Sequence, residues 1–194
     1  FESALTMTGG STILNGDIGM RFFPPRNSTR IINLDNFTSS DNGSHGLIIE
    51  SSGDRIDTYI EQLTNSTFSG NSGDGARIQF TNIGTQLYDN NMFSDNSGHG
   101  LRIHHGLATG DVVVRDNSFS GNGQSGLLAN NTRVINNSFE NNRFSVGTWY
   151  NMSLSYTDDS DVDSNTFSGN TYGGVALYAI DLTGTISATV PEAF

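Results

Sequence analysis

The chain has 194 residues, of which 34% are hydrophobic and 15% are charged, and it contains no cysteine. That length suits one domain, that hydrophobic share allows a buried core, and the missing cysteines exclude disulfides and thiol chemistry. A formal net charge of −11, with no lysine, argues against nucleic acid as a partner because phosphate binding requires basic patches.

The composition also indicates the secondary structure and the setting. Gly, Asn, Ser and Thr are abundant and no segment has a helical period, as expected of short strands joined by tight turns. No apolar run is long enough to span a membrane. The sequence begins with Phe rather than Met, and we expect an exported protein, extracellular or at the cell surface.

The chain divides into three parts. Residues 1–30 predict an irregular N-terminal coil or cap, which Pro24 and Pro25 interrupt. Residues 31–182 hold a repeat, and residues 183–194 predict a C-terminal strand and tail. Because the end of a solenoid is a sheet edge that invites pairing, we expect a homo-oligomer or a place in a longer chain.

The repeat is defined by six phenylalanines, whose separations run from 20 residues (Phe119 to Phe139) to 31 residues (Phe37 to Phe68). An apolar residue precedes each by five positions, an asparagine follows all but the first by three, and a glycine then opens an alternating strand. A period of about 20–50 residues is typical of a solenoid. The phenylalanines are Phe37, Phe68, Phe93, Phe119, Phe139 and Phe167, and the asparagines are Asn71, Asn96, Asn122, Asn142 and Asn170.

Stacked coils place like residues on like, about 4.8 Å apart in a parallel sheet. We therefore expect an internal stack of phenylalanine rings and a ladder of turn asparagines whose amides satisfy backbone groups. In the segment Gly100-Leu101-Arg102-Ile103, the alternation of strand side chains directs Leu101 and Ile103 inward and Arg102 outward.

The pattern N-x-F-x-x-N, followed by a strand-opening glycine, resembles the repeats of right-handed parallel β-helix proteins of the pectate-lyase-like superfamily. It is especially similar to the FxxN and GGA(I/L/V) repeats of bacterial polymorphic outer-membrane proteins. The resemblance covers residues 31–182 and implies an all-β, right-handed parallel β-helix of about seven coils. This fold hosts lyases, hydrolases, epimerases, phage tailspikes and non-catalytic adhesins, so the resemblance does not select a function.

The first candidate site is a column of polar residues directly before the strand-opening glycines. His45, Asp74 and His99 are expected to stack on adjacent coils about 5 Å apart, as candidates for acid–base catalysis. Outward positions of the following strands carry further candidates for binding an acidic sugar, since arginine pairs well with carboxylates. These are Arg77, Arg102, Gln79 and His104.

Two observations weigh against catalysis at this column. The SHGL and GHGL segments resemble the histidine motif of polygalacturonases, but the adjacent Asp pair that this family needs upstream is absent before His45 and His99. The alternative interpretation is an exposed turn in which any polar residue serves.

A second candidate site is the segment TDDSDVDSN. Asp159, Asp161 and Asp163 alternate along the chain, so they are expected to share an outer face. Carboxylate oxygens are ligands that Ca²⁺ takes, so the segment predicts either a calcium site or plain solvated charge.

Two further groups of surface residues follow from the sequence. Aromatic residues of the last two coils, in particular Trp149, Tyr172 and Tyr178, could stack on sugar rings. Seven N-x-S/T sequons are candidate glycosylation sites, a number close to chance for so many Asn, Ser and Thr. They are Asn27, Asn36, Asn42, Asn65, Asn130, Asn136 and Asn151.

These observations favour a non-catalytic extracellular structural or adhesive module that presents a polar face to glycans or assembles end to end with copies of itself. It would need no cofactor apart from a potential calcium ion. One alternative is an enzyme acting on acidic glycans through the histidine–aspartate column and its arginines. The other is a phage tailspike segment, which would have to form a trimer.

Overall fold

In a computed structural model, the chain forms a parallel β-helix in which each turn lies on the one before. The structure describes residues 2–22, 29–50, 58–80, 85–105, 112–129, 132–148, 165–172 and 175–177. All regular secondary structure in these ranges is β-strand, and every strand pairing is parallel. No helix in these ranges could cross a membrane.

The strands of the described residues are short, apart from two of 12 residues. In chain order they are β1 Glu2–Ile13, β2 Met20–Phe22, β3 Thr29–Ser40, β4 Leu47–Glu50, β5 Thr58–Thr64, β6 Thr67–Ser69, β7 Ala76–Phe80, β8 Gln86–Asp89, β9 Met92–Ser94, β10 Leu101–His105, β11 Val112–Arg115, β12 Ser118–Ser120, β13 Ser125–Leu128, β14 Arg133–Ile135, β15 Ser138–Glu140, β16 Phe144–Thr148, β17 Thr166–Ser168 and β18 Val175–Leu177.

Each regular turn contributes one strand to each of three faces. Four successive turns have three separate strands, from β5 to β16, and the third strands of all turns form one sheet in the order β18-β16-β13-β10-β7-β4-β2. The structure thus describes about four regular turns where the sequence predicts about seven coils. The turns at both ends are less regular: β1 and β3 run through the first corner as continuous strands, and the last turn is described only through β17 and β18.

The N-terminal segment contains more regular structure than an irregular coil or cap. Its strand β1 pairs with β3 along most of its length, and β2 pairs with β4. Pro24, Pro25 and the C-terminal residues 183–194 lie outside the described residues.

The predicted aromatic stack is confirmed inside the helix. Five phenylalanine rings lie one above another, with adjacent centroids 4.8–5.4 Å apart and planes within 9° of parallel. That spacing is close to the separation of paired strands, about 4.8 Å, so each ring packs on the equivalent ring of the next turn. The members are Phe68, Phe93, Phe119, Phe139 and Phe167.

The assignment of Phe37 to this column is wrong. Ser39, two residues later, pairs with Phe68, and the Phe37 ring lies 6.2 Å from that of Phe68 at an angle of 47°. Ser39 therefore occupies the position that phenylalanine has in the later turns. Asn42, three residues after Ser39, is the ladder asparagine of its turn. An apolar residue displaced by two positions on a strand still points inward, so Phe37 stays in the core.

The predicted asparagine ladder is also confirmed. Each side-chain amide donates to the Oδ1 atom of the asparagine in the next turn, over distances of 2.8–3.2 Å, and nearly all of the members are fully buried. The same Oδ1 atoms also accept the backbone N–H of the preceding asparagine. The ladder consists of Asn42, Asn71, Asn96, Asn122, Asn142 and Asn170.

A second ladder lies at the other corner, directly before the second strand of each turn. Its amide-to-Oδ1 distances are 3.0–3.1 Å, and its members are Asn91, Asn117, Asn137 and Asn165. Two buried rows of amides thus hold adjacent turns in one register, which fixes the positions of all outward columns.

Replacing one ladder residue should destabilise the whole helix. The Asn96 side chain accepts from the backbone and side chain of Asn71 and donates to Phe68 O and Asn122 Oδ1. Asn96→Ala leaves these buried groups unpaired, so we expect the free energy of unfolding to fall by about 3 kcal/mol or more in a urea titration. Ser97→Ala, at the exposed neighbouring position, should change it by less than about 0.5 kcal/mol. Equal effects of the two substitutions would contradict the role of the ladder.

Candidate functional site

The candidate histidine–aspartate column lies where three successive turns enter the third face. His45, Asp74 and His99 each stand one residue before the glycine that precedes β4, β7 or β10. The first residues of these strands, Leu47, Ala76 and Leu101, pair with one another, so the three polar residues lie one above another.

Each side chain of this column accepts a hydrogen bond from the backbone of the next turn. The N–H of Asp74 donates to His45 Nδ1 at 2.8 Å, that of His99 donates to Asp74 Oδ1 at 2.9 Å, and that of Ser125 donates to His99 Nδ1 at 3.2 Å. Both histidines therefore need an unprotonated Nδ1, with the proton of the neutral ring on Nε2. The column is a third ladder, which requires acceptor side chains rather than any polar residue.

Burial supports the neutral state of both rings. His99 is only 8% exposed, and burial lowers its pKa to about 4, helped by Arg102 and opposed by Asp74. Burial also lowers the pKa of His45, where Asp74 opposes the shift and the two nearby arginines add to it. Neither ring is a proton donor at Nδ1 near neutral pH.

The second carboxylate oxygen of Asp74 is held in a different way. Asp74 is 4% exposed, and its Oδ2 atom has no hydrogen-bond partner among the described residues. Arg102 Nη1 lies 3.6 Å from this oxygen and His45 Nδ1 lies 3.7 Å from it. The ion pair therefore draws the Arg102 guanidinium back toward the column.

The outer surface of β7 and β10 forms an open pocket of about 220 Å³ beside this column. Arg77 pairs in register with Arg102, and Gln79 pairs with His104; these four side chains line the pocket together with Ile78. Arg77 is half-buried and has neither a hydrogen bond nor an ion pair within the described ranges. Two permanent cations on adjacent strands repel each other, so the pocket favours an anion.

His104 adds a neutral group to this cationic pocket. Burial is the largest cause that lowers its pKa, and the charges of Arg102 and Arg77 lower it further. The pocket therefore offers two guanidinium forks, an amide and an uncharged imidazole. That set suits a planar anion such as a carboxylate, which guanidinium groups bind through paired hydrogen bonds.

Several predicted site residues lie outside the described residues. They are the aromatics Trp149 and Tyr178, the proposed calcium ligands Asp159, Asp161 and Asp163, and the sequon residues Asn27, Asn130 and Asn151. Within the part of the chain that the structure describes, no group of three His, Cys, Asp or Glu could hold a metal ion.

The described sequons fall into two kinds. Asn36, Asn65 and Asn136 are exposed at corners with φ of 51–54°, where a glycan would have room. Asn42 is 1% exposed, and its amide donates to Asn71 Oδ1 and Ser39 Oγ within the ladder. The interpretation of Asn42 as a glycosylation site is therefore inconsistent with the folded protein.

The sequence pattern does not reveal Phe144 as the neighbour of the exposed Tyr172. Ser125 pairs with Phe144, so the position after His99 and Ser125 in the column belongs to an aromatic residue that stacks on Tyr172. The repeat pattern hides Phe144, because this turn has one residue fewer between the ladder residue Asn142 and the strand. Counting three residues from Asn142, as in the other turns, leads to Ser145, so only the pairing of Ser125 with Phe144 reveals the position.

Comparison with known families agrees with this geometry. The family model described as right handed beta helix region matches residues 25–179, which is more than half of the chain. The chain therefore belongs to the right-handed β-helix family, as its repeats predict. No curated protein and no solved structure matches it.

The histidine column should make stability depend on pH. Burial lowers the pKa of His99 to about 4 in the folded state, whereas in the unfolded state it lies near the ordinary histidine value of 6.5. Stability is therefore complete above about pH 6.5 and is lost as pH falls toward 4, by about 3 kcal/mol for this group. His99→Asn keeps a hydrogen-bond acceptor but cannot titrate, so its urea unfolding should lose about 3 kcal/mol less between pH 7.5 and pH 4. A constant difference from the native protein across this range would contradict the prediction.

Proposed function

We propose that the chain is a non-catalytic extracellular β-helix module that binds an acidic glycan on the outer face of β7 and β10. The observation that carries the proposal is the half-buried Arg77, which has no anionic partner among the described residues and stands in register with Arg102. A sugar carboxylate in the pocket would pair with Arg77 and relieve its repulsion from Arg102.

The overall negative charge does not oppose this site strongly. The screening length is about 8 Å at physiological ionic strength, so acidic groups on the other faces act weakly at the pocket. Asp74 is already paired with Arg102, and Glu50, which precedes Gln79 in its column, is paired with Arg21 at 2.6 Å. The local potential at Arg77 is therefore set mainly by arginine.

The burial of the acid–base candidates supports a binding role rather than catalysis. Asp74 Oδ1 and the Nδ1 atoms of His45 and His99 are occupied by backbone N–H groups. Asp74 Oδ2 is buried from solvent, so a substrate could not reach it without displacing Arg102. A structural role, in which these side chains accept hydrogen bonds from backbone N–H groups, accounts for the column without a catalytic role.

Charge removal at Arg77 should weaken glycan binding. Arg77→Gln should raise the Kd for oligogalacturonides about 10- to 100-fold in titration calorimetry, because hydrogen bonds to a charged group contribute about 1.5–3 kcal/mol. Arg115→Gln is the matched control, since it removes the same charge from β11, where Arg115 pairs with Asp89 at 2.9 Å. If both variants bind like the native protein, Arg77 does not contact the ligand.

A second function is favoured by one observation, the neutral His104 beside two arginines. Arginines that neutralise a uronate carboxylate acidify the neighbouring C–H group, and an uncharged imidazole can accept that proton. The electron pair of the broken C–H bond then forms a carbon–carbon double bond as the glycosidic C–O bond at the β-carbon breaks, and the departing oxygen takes a proton from water. The chain would then be a polysaccharide lyase.

Product formation separates these two functions. Our proposal predicts that uronic acid polymers bind without any rise in the ultraviolet absorbance of unsaturated products. A rise that His104→Gln abolishes, with binding retained, would establish the lyase instead. A rise that His104→Gln leaves intact would place catalysis elsewhere.

Three parts of the sequence analysis stay predictions. They are assembly with copies of the chain, a trimeric tailspike role and calcium binding at the three aspartates.

A further inference from the structure

We infer that Phe144 and Tyr172 form an aromatic subsite that stacks on a pyranose ring, so that the ligand of the arginine pocket is an extended acidic oligosaccharide lying along the helix axis. This inference rests on the proposed function. It adds a second contact region, several turns away from Arg77, and it selects oligomers over single sugars.

The aromatic pair lies outside the core and needs an explanation of its own. The two rings are 5.0 Å apart and 25° from parallel, and Tyr172 is 51% exposed. The internal phenylalanine stack, by contrast, is nearly all buried. The backbone N–H of Tyr172 donates to the carbonyl of Arg143 at 3.1 Å, which ties the two turns together beneath the rings. The backbone that carries the two rings is thus held in place, while the Tyr172 ring remains open to solvent.

Arg143 completes this subsite with a positive charge. Its guanidinium carbon lies 5.6 Å from the centroid of each ring, within the distance at which a cation interacts with an aromatic face. Arg143 is itself exposed. A sugar ring that stacks on Tyr172 would therefore have a cation within reach of its carboxylate.

The aromatic pair and the arginine pocket lie along the same edge of the helix. His99 Nδ1 accepts from the N–H of Ser125, and Ser125 pairs with Phe144, so the column leads directly to the aromatic pair. Arg102 reaches back to Asp74 in the same column. Asp74 and Phe144 are three turns apart, which corresponds to roughly 14 Å at about 4.8 Å for each turn. An oligosaccharide can span that length, whereas one sugar cannot.

The chemistry of the two regions matches one ligand class. A pyranose presents a face of C–H groups that can be buried against an aromatic ring, and its hydroxyls remain in water at the edge. Carboxylates repeated along a uronic acid chain can pair with arginine at both ends of the site. A neutral polymer would use only the rings, and a small acid would use only the pocket.

The test compares ligands of different length and charge in titration calorimetry. The probes are galacturonate, oligogalacturonides long enough to span the edge and cello-oligosaccharides of equal length. Tyr172→Ala should raise the Kd for the oligogalacturonides about three- to tenfold and leave galacturonate binding unchanged. Tyr172→Phe keeps the ring and should stay within about twofold of the native protein. Arg77→Gln should weaken binding of both acidic ligands.

Every other result would contradict a specific part of the aromatic-subsite inference or of the proposed function. Tyr172→Ala could bind oligogalacturonides as tightly as the native protein while Arg77→Gln binds them more weakly. The aromatic subsite would then be wrong and the acidic-glycan site would stand. If Tyr172→Ala also loses galacturonate, the two regions are not separate subsites. Cello-oligosaccharide binding that depends on Tyr172 and not on Arg77 would support the rings and overturn the proposed function. Native protein that binds none of the probes would overturn both.

Discussion

Every outward feature of this molecule depends on the register in which one turn lies on the next. Backbone hydrogen bonds between parallel strands hold neighbouring turns about 4.8 Å apart, but at the corners, where the chain changes direction, the strand ladder is interrupted. Buried asparagines fill these interruptions. Asn96, for example, accepts from the backbone and side chain of Asn71 and donates to Asn122 and to the Phe68 carbonyl. A shift of one residue would leave all of these groups unpaired in the core, which is why a single register persists along the helix.

The same constraint accounts for the histidine–aspartate column. At the entrance to the third face, the backbone N–H groups of Asp74, His99 and Ser125 donate to a side chain of the turn before instead of to a carbonyl. Asp74 and His99 accept these hydrogen bonds with different atoms, a carboxylate oxygen and an imidazole nitrogen. The column resembles a catalytic cluster in the sequence, but its side chains mainly supply hydrogen-bond acceptors for backbone N–H groups. Its effect on function is indirect, because Asp74 positions Arg102.

Features that depend only on the spacing of the repeat could be predicted from the sequence. Features that depend on strand pairing or on the orientation of a side chain could not. The phenylalanine stack and the first asparagine ladder follow from spacing alone. Phe37 was misplaced because a two-residue displacement preserves the inward direction and leaves only strand pairing to reveal the difference. The acceptor role of His45 could not be predicted, since spacing does not tell which ring atom meets the next turn. Phe144 was hidden because the corner between Asn142 and β16 is one residue shorter than the equivalent corners of the turns before it.

Strict register also explains why an unpaired charge on this surface is informative. A parallel helix places each outward residue beside its equivalents in two other turns, so a column of like charges is unfavourable unless each charge finds a partner. Elsewhere the helix supplies such partners: Arg21 pairs with Glu50, and Arg115 pairs with Asp89. Arg102 has Asp74. Arg77 stands in the same column as Arg102, half-buried and without an anion within the described part of the chain. A bound anion is the simplest arrangement that would give Arg77 the partner that these other arginines already have.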